Sequence, residues 1–384
     1  MKRALALCLL AGVTAGCGDD NPASSSASTE SSSSSGAGAT GASSAGGGGP
    51  GGASSGGAAT GGSADCAPID LSGASQAVTL PAGCPGGECA SIGLTPFTER
   101  TEDYLGVPAK LYCGSNTPPA GYAEQGIALG QGIEPLDAAG MPDPGGKYAL
   151  VSIGMSNTTQ EYSRFISKYE NDPSLAPNLV LVDGALGGHA TPQWIDPNNE
   201  VWTNLTQRLE QRGVSDAQVT AVWVKQARQS PQAQCDAAGF QGMPCFPAHE
   251  QLFADELRTV LGMVSARFPN LKLVYLSNRI YAGFASSDLN PEPYAYQSAI
   301  VVKKIVMEKI LEDSAASGLP WLGWGPYLWA DGMTPREDGL TWPKDHLRED
   351  GTHPSDLGTE VVADMLFEFF STDPTSAPWF LAAP

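Results

Sequence analysis

Lys147–Gln160 reads KYALVSIGMSNTTQ. Tyr148 to Ile153 is an apolar run of strand-forming residues that stops at Gly154, two places before Ser156, and a polar stretch of helical character follows. A strand that ends in a glycine, with a serine at its carboxyl end, puts a hydroxyl where open α/β sheets keep their ligands. Ser156 is therefore the candidate nucleophile, and the rest of the chain is read for groups that would activate it.

From Lys147 onward strand and helix patterns alternate. Strands are expected at Tyr148–Ile153, Leu179–Val182, Val219–Val224, Leu271–Leu276 and Pro320–Trp324. Helices are expected at about Thr158–Tyr169, Val201–Arg212, Pro247–Phe268, Pro293–Ser317 and Ser355–Phe370. Such alternation predicts an α/β fold, a parallel sheet with helices on both faces. Right-handed crossovers then bring every strand's carboxyl end to one rim, where distant sequence positions meet.

The segment Cys66–Gly146 is rich in Gly and Pro and lacks long periodic runs. It reads as an irregular, disulfide-stapled lead-in with a hairpin near Gly126–Leu136. Its thin apolar content predicts that it packs on the main domain rather than folding alone. Further upstream, Lys2 and Arg3 precede the apolar stretch Ala4–Val13, and Thr14, Ala15 and Gly16 come directly before Cys17. The apolar run is too short to span a bilayer as a helix. Small residues before a cysteine resemble the lipobox of bacterial lipoproteins, which implies a signal peptide over 1–16 and lipidation of Cys17. Residues 18–65 are almost entirely Ser, Gly, Ala and Thr, a composition that cannot bury enough surface to offset its ordering entropy. At about 5–6 Å × √n this tether gives the globular part a mean reach of roughly 40 Å from the anchor. The expected layout is thus a signal peptide (1–16), anchor and tether (17–65), lead-in (66–146) and main domain (147–384). The expected location is the bacterial cell envelope after export, lipid-anchored on the periplasmic or cell-surface face.

The chain has 384 residues, and 41 acidic against 21 basic side chains give a net charge of −20. No basic cluster follows Arg3, and phosphate contacts need lysines and arginines, so nucleic acid is excluded as a partner. The membrane is met only through the N-terminal lipid, and the acidic surface and tether make a monomer the default. Setting aside Cys8 in the signal and Cys17, the cysteines are Cys66, Cys84, Cys89, Cys113, Cys235 and Cys245. An even number in an exported chain reads as disulfides. Cys235 and Cys245 bracket a Gly/Pro-containing loop and form a natural pair, while the other four allow three connectivities. No CxxC pair or histidine cluster points to zinc, and no metal or other cofactor is expected.

Four short stretches fall after strand ends: Gly154-Met155-Ser156-Asn157, Gly187-Gly188-His189, Trp223-Val224-Lys225-Gln226 and Asp350-Gly351-Thr352-His353. A serine hydroxyl is a weak nucleophile until a base takes its proton, and histidine has the suitable pKa. An aspartate three residues before that histidine, on one tight turn, can hold the imidazole by its other nitrogen. His346 beside Asp345 is the rival base but lacks that offset. A glycine after a strand leaves a backbone N–H free to face a developing oxyanion, and a glutamine amide can add a further donor. His189 follows the glycine pair, and Arg228 follows the glutamine stretch; both are candidates for the substrate pocket, with a structural role for His189 and a nearby carboxylate for Arg228 equally open. Trp324, Trp329 and Trp342 read as packing rather than as a sugar platform.

Taken together, these stretches resemble the SGNH (GDSL-like) hydrolase superfamily, most closely its carbohydrate-esterase branch of sialate O-acetylesterases and acetylxylan esterases. The resemblance covers Lys147–Phe370. It implies a three-layer α/β/α sandwich around a five-stranded parallel sheet of flavodoxin-like order. It also implies Ser156 as nucleophile, His353 as base and Asp350 as its orienter. The oxyanion hole would be the Ser156 and Gly188 N–H groups with the Gln226 amide; Gly187 is a substitute for Gly188. The chain departs from the family with GMS in place of GDS, and with Ala-Arg after Gln226 in place of Gly-Glu. The implied function is a serine esterase that removes ester groups, O-acetyl above all, from a small-molecule or polysaccharide substrate. Esters of simple lipids or short acids, and glycan binding without turnover, remain the alternatives.

Overall fold

A computed structural model of the protein describes residues 67–82 and 88–383. The expected signal peptide, the Cys17 anchor, the tether, Cys66 and Cys84 lie outside the described residues. In chain order the elements are β1 (Gln76–Ala77), α1 (Ala120–Gln131), β2 (Tyr148–Gly154), α2 (Ser156–Tyr169) and β3 (Leu179–Asp183). Then come α3 (Thr191–Trp194), α4 (Glu200–Gln211), β4 (Val219–Lys225), α5 (Gln232–Ala237), β5 (Cys245–Phe246) and α6 (Ala248–Arg267). The chain continues through β6 (Leu273–Leu276), α7 (Tyr294–Ile310), β7 (Trp321–Trp324), α8 (Asp356–Thr372) and α9 (Ala377–Phe380).

Five strands form one parallel sheet in the order β3-β2-β4-β6-β7, the flavodoxin-like order. The chain starts in the middle with β2, steps one way to β3, then returns across β2 to β4. The direction reverses between β2 and β4, which opens a crevice beyond their carboxyl ends. Right-handed crossovers put α2 and α8 on one face and α4, α6 and α7 on the other; α2 packs against α8, and α6 against α7. Coverage on both faces explains why every residue of β2 and of β4 is buried, and why both read as continuous apolar runs.

The lead-in departs from expectation in one respect. No hairpin occupies Gly126–Leu136; most of that stretch belongs to α1. Gly126 and Gly130, which look like turn residues, are there for close packing. A Cβ on Gly126 would come 2.6 Å from the Trp321 ring, and one on Gly130 would meet the Thr375 carbonyl at 2.1 Å. The lead-in otherwise shares the core of the sheet domain: Ile69, Leu71, Ile92, Phe97, Tyr104 and Tyr112 are buried in the same apolar cluster as β2 and β4. Polar contacts fasten it as well. Asp331 accepts from the Ile92 and Gly93 N–H groups, and the buried Lys303 ammonium donates to the carbonyls of Pro108, Ala109 and Lys110. The short β1 pairs antiparallel with β5, next to the Cys235–Cys245 disulfide. Cys89 and Cys113 are disulfide-bonded too.

Candidate active site

Ser156 is placed by a glycine. A Cβ on Gly154 would lie 2.2 Å from the Lys225 carbonyl oxygen and 2.3 Å from Thr158 Oγ1, so only glycine lets β2 end this close to β4 and α2. In the space so kept, Thr158 Oγ1 donates to the Lys225 carbonyl at 2.6 Å and pins the first turn of α2 to the sheet. Ser156 is the first residue of that helix. Its N–H belongs to the set that no intrahelical carbonyl can satisfy, at the positive end of the helix dipole.

The Asp350–His353 turn comes to meet it. Gly351 has φ of +63°, and a Cβ there would sit 1.8 Å from the Phe284 carbonyl oxygen, so both conformation and space demand glycine. The Ser286 N–H donates to the Asp350 carbonyl at 3.0 Å and holds the turn from the other side. Within it, one Asp350 oxygen accepts from the Thr352 and His353 N–H groups at 2.9 and 3.0 Å. The other meets His353 Nδ1 at 2.6 Å. His353 Nε2 lies 2.7 Å from Ser156 Oγ. A carboxylate beside Nδ1 assigns the ring proton to that nitrogen, leaving Nε2 to accept from the serine. Burial pushes the Asp350 carboxyl up, but the N–H bonds from His353 and Thr352 and the nearby imidazole outweigh it and hold the group below the ordinary aspartate value. Asn157 closes the arrangement: its side-chain amide donates to the Thr352 carbonyl at 3.0 Å, joining the nucleophile's helix to the histidine's turn.

Beneath the site lies a fully buried ion pair, Glu161 of α2 with Lys225 at the end of β4, at 2.6 Å. Burial pulls the lysine down to about 8 and pushes the glutamate up, each shift partly offset by the partner's charge. The pair fixes α2 against the sheet directly behind the serine.

The crevice predicted at the switch point is a cavity of about 320 Å³, walled by Ser156, Gly188, His189, Arg279, Asn290 and His353 among others. Gly188 has φ of +78°, and Gly187 stands against Ser156, its Cβ position 3.9 Å from the serine's. His189 lines the wall with both ring nitrogens engaged, by the Gly187 carbonyl at 2.8 Å and Glu200 at 3.1 Å. Gln226 follows β4, is only 3% exposed, and has neither amide atom hydrogen-bonded. Beside it the cavity wall is formed by Ala227 and Gln229.

Arg228 differs from expectation. Its guanidinium pairs with the largely buried Glu256 at 3.1 Å, and it is not part of the cavity wall. The cation that reaches the cavity is Arg279, just beyond β6, which the sequence reading did not single out; nothing in Ser277-Asn278-Arg279-Ile280 marks it. Asn157 stood in the Gly154–Asn157 stretch without a role of its own, and Asn290 was unmarked. His346 stands apart from the cavity, edge-on to the buried Trp342 ring. Trp324, Trp329 and Trp342 are all buried. Among the described residues no cluster of three or more His, Cys, Asp or Glu could hold a metal ion.

No family model and no curated protein matches the chain. Several solved structures resemble it. A lipase from a goat rumen metagenome is 15% identical over 58% of this chain and 97% of its own, with a TM-score of 0.33. An alpha/beta hydrolase enzyme from the metagenome of Lake Arreo, Spain, is 16% identical over 60% and 96%, also at 0.33. An extracellular lipase from Streptomyces rimosus is 12% identical over 58% and 99%, at 0.30.

Proposed function

We propose that the protein is a serine esterase that works through Ser156, His353 and Asp350. One observation carries the reading: an unbroken run of hydrogen bonds from the Ser156 hydroxyl through His353 to Asp350, opening onto a cavity at the topological switch point. Ser156 Oγ attacks the ester carbonyl as its proton passes to His353 Nε2, and Asp350 stabilises the imidazolium. The tetrahedral oxyanion is met by the Ser156 N–H at the start of α2, by the Gly188 N–H, and by the Gln226 amide, a role supported by that amide having no hydrogen-bond partner in the protein. Collapse expels the alcohol, which takes the histidine proton, and leaves an acyl-serine. Water then adds with His353 as base and releases the acid.

The substrate class is O-acetyl groups on extracellular carbohydrate, a reading supported by the sequence resemblance and by a cavity with polar groups as well as apolar wall. Export, lipidation at Cys17 and monomeric action on a tether complete the proposal, all resting on the N-terminal sequence pattern. The test is acetate release from acetylated polysaccharides beside hydrolysis of a chromogenic acetyl ester. Turnover that a Ser156→Ala protein lacks is the expected result. Equal rates from the two proteins on every ester would overturn the esterase reading, and activity confined to long acyl chains would overturn the deacetylase part.

A further inference from the structure

Among the described residues three cations are buried: Lys225, Lys303 and Arg279. Two are fully provided for. Lys225 has the Glu161 carboxylate, and Lys303 has three backbone carbonyls. Arg279 is only 2% exposed; Glu161, Glu292 and Asp350 act on its charge from a distance, yet none of them forms an ion pair with it. Its guanidinium makes a single hydrogen bond, from Nη2 to the Thr352 carbonyl at 3.5 Å, the outer limit for such a bond, and its Nε has no partner. Guanidinium donors buried without close acceptors are costly, and such groups in native structures call for an explanation, of which a bound ligand is one. Arg279 lines the cavity that holds Ser156 and His353.

A second orphan sits on the same wall. Asn290 is buried, its amide nitrogen donates to the Arg228 carbonyl at 3.3 Å, and its Oδ1 accepts nothing. The cavity thus leaves room for a close acceptor beside the guanidinium and for a hydroxyl-type donor beside Asn290.

We infer that Arg279 is a specificity residue that binds a carboxylate carried by the substrate, with Asn290 accepting from a hydroxyl of the same molecule. The substrate class is a hydroxylated carboxylic acid, such as a uronic-acid-type sugar, bearing the ester. One guanidinium and no second free cation on the wall suit a monoanion. A doubly charged phosphate would leave a charge unmatched. This assignment rests on the esterase reading for what happens to the ester, but the binding claim stands by itself.

The experiment therefore measures binding without turnover. Titration calorimetry of the full-length protein compares glucuronate with glucuronamide, which have the same shape but differ in charge. The expected result is at least tenfold tighter binding of glucuronate, a gap that closes in Arg279→Gln and is partly kept in Arg279→Lys. Equal affinity for the two ligands in the unmutated protein overturns the assignment whether or not any variant folds. So does a gap that survives in Arg279→Gln. Failure of the esterase reading appears elsewhere, as missing acetate release, and leaves the glucuronate comparison intact.

Discussion

On the β2 side of the cavity, the Ser156 hydroxyl, both ring nitrogens of His353 and both oxygens of Asp350 have partners within the protein. On the β4 and β6 side, Arg279 Nε and Asn290 Oδ1 on the wall, and the buried amide of Gln226 next in sequence to the wall residue Ala227, have none. On the proposed mechanism the two sides serve different ends. Groups that must act together in a fixed order are held by one another, so no reorganisation is needed when the reaction starts. Groups that wait for a ligand or a transition state are buried with open valences, a cost in folding that becomes selectivity on binding.

The comparison can be broken most sharply on its paired side. Ser156→Ala should lower kcat/KM for a chromogenic acetyl ester by about 10⁶-fold, since triad members act as a unit. The melting temperature should stay close to that of the unmutated protein. Asp350→Asn should lower kcat by about 10⁴-fold, because an amide no longer enforces the Nδ1–H tautomer. A loss of less than tenfold would mean that the backbone N–H bonds alone position the histidine.

The unpaired side gives smaller effects. Gln226→Ala should lower kcat by about 10²–10³-fold with KM little changed, the signature of a donor used in the transition state. A change in KM alone would move Gln226 from the oxyanion to ground-state binding. An unpaired group that does not line the cavity provides the control. Glu250, at the start of α6, is fully buried with neither carboxylate oxygen bonded to a partner, and burial pushes it up to about 8. A carboxyl raised above its unfolded value contributes stability that is fully present below the unfolded value and is lost as pH rises through the folded one. Glu250→Gln should therefore raise the melting temperature by a few degrees at pH 9, leave it nearly unchanged at pH 5, and spare activity. If Glu250→Gln instead abolished turnover at neutral pH, open valence outside the cavity would also be functional, and the contrast between the two sides would lose its meaning.

The sheet was legible because both its faces are covered, which makes each strand a plain apolar run between helical patterns. Ser156, His353 and Asp350 were legible for a related reason: each sits in a short local motif at a strand end, where the spacing itself carries the geometry. Other features had no local signal. Helix α1 was hidden by Gly126 and Gly130, whose small size serves contact with Trp321 and Thr375, residues about two hundred positions away or more. That the lead-in packs on the main domain was legible in its thin apolar content; which of its scattered large side chains are buried was not. Arg228 and Arg279 were indistinguishable as letters. What separates them is that Glu256 pairs directly with the first, while the carboxylates around the second stay beyond ion-pair distance, a fact of tertiary packing.

Gly351 bears on how relatives of this chain should be sought. Because the Phe284 carbonyl fills the place of a side chain at that position, the useful signature is narrower than an aspartate three residues before a histidine: it is Asp-Gly-x-His, with a loop laid across the glycine. A scan for the looser pattern would collect chains whose turn cannot close against such a loop. The residue that sharpens the search is one that touches no substrate and performs no chemistry.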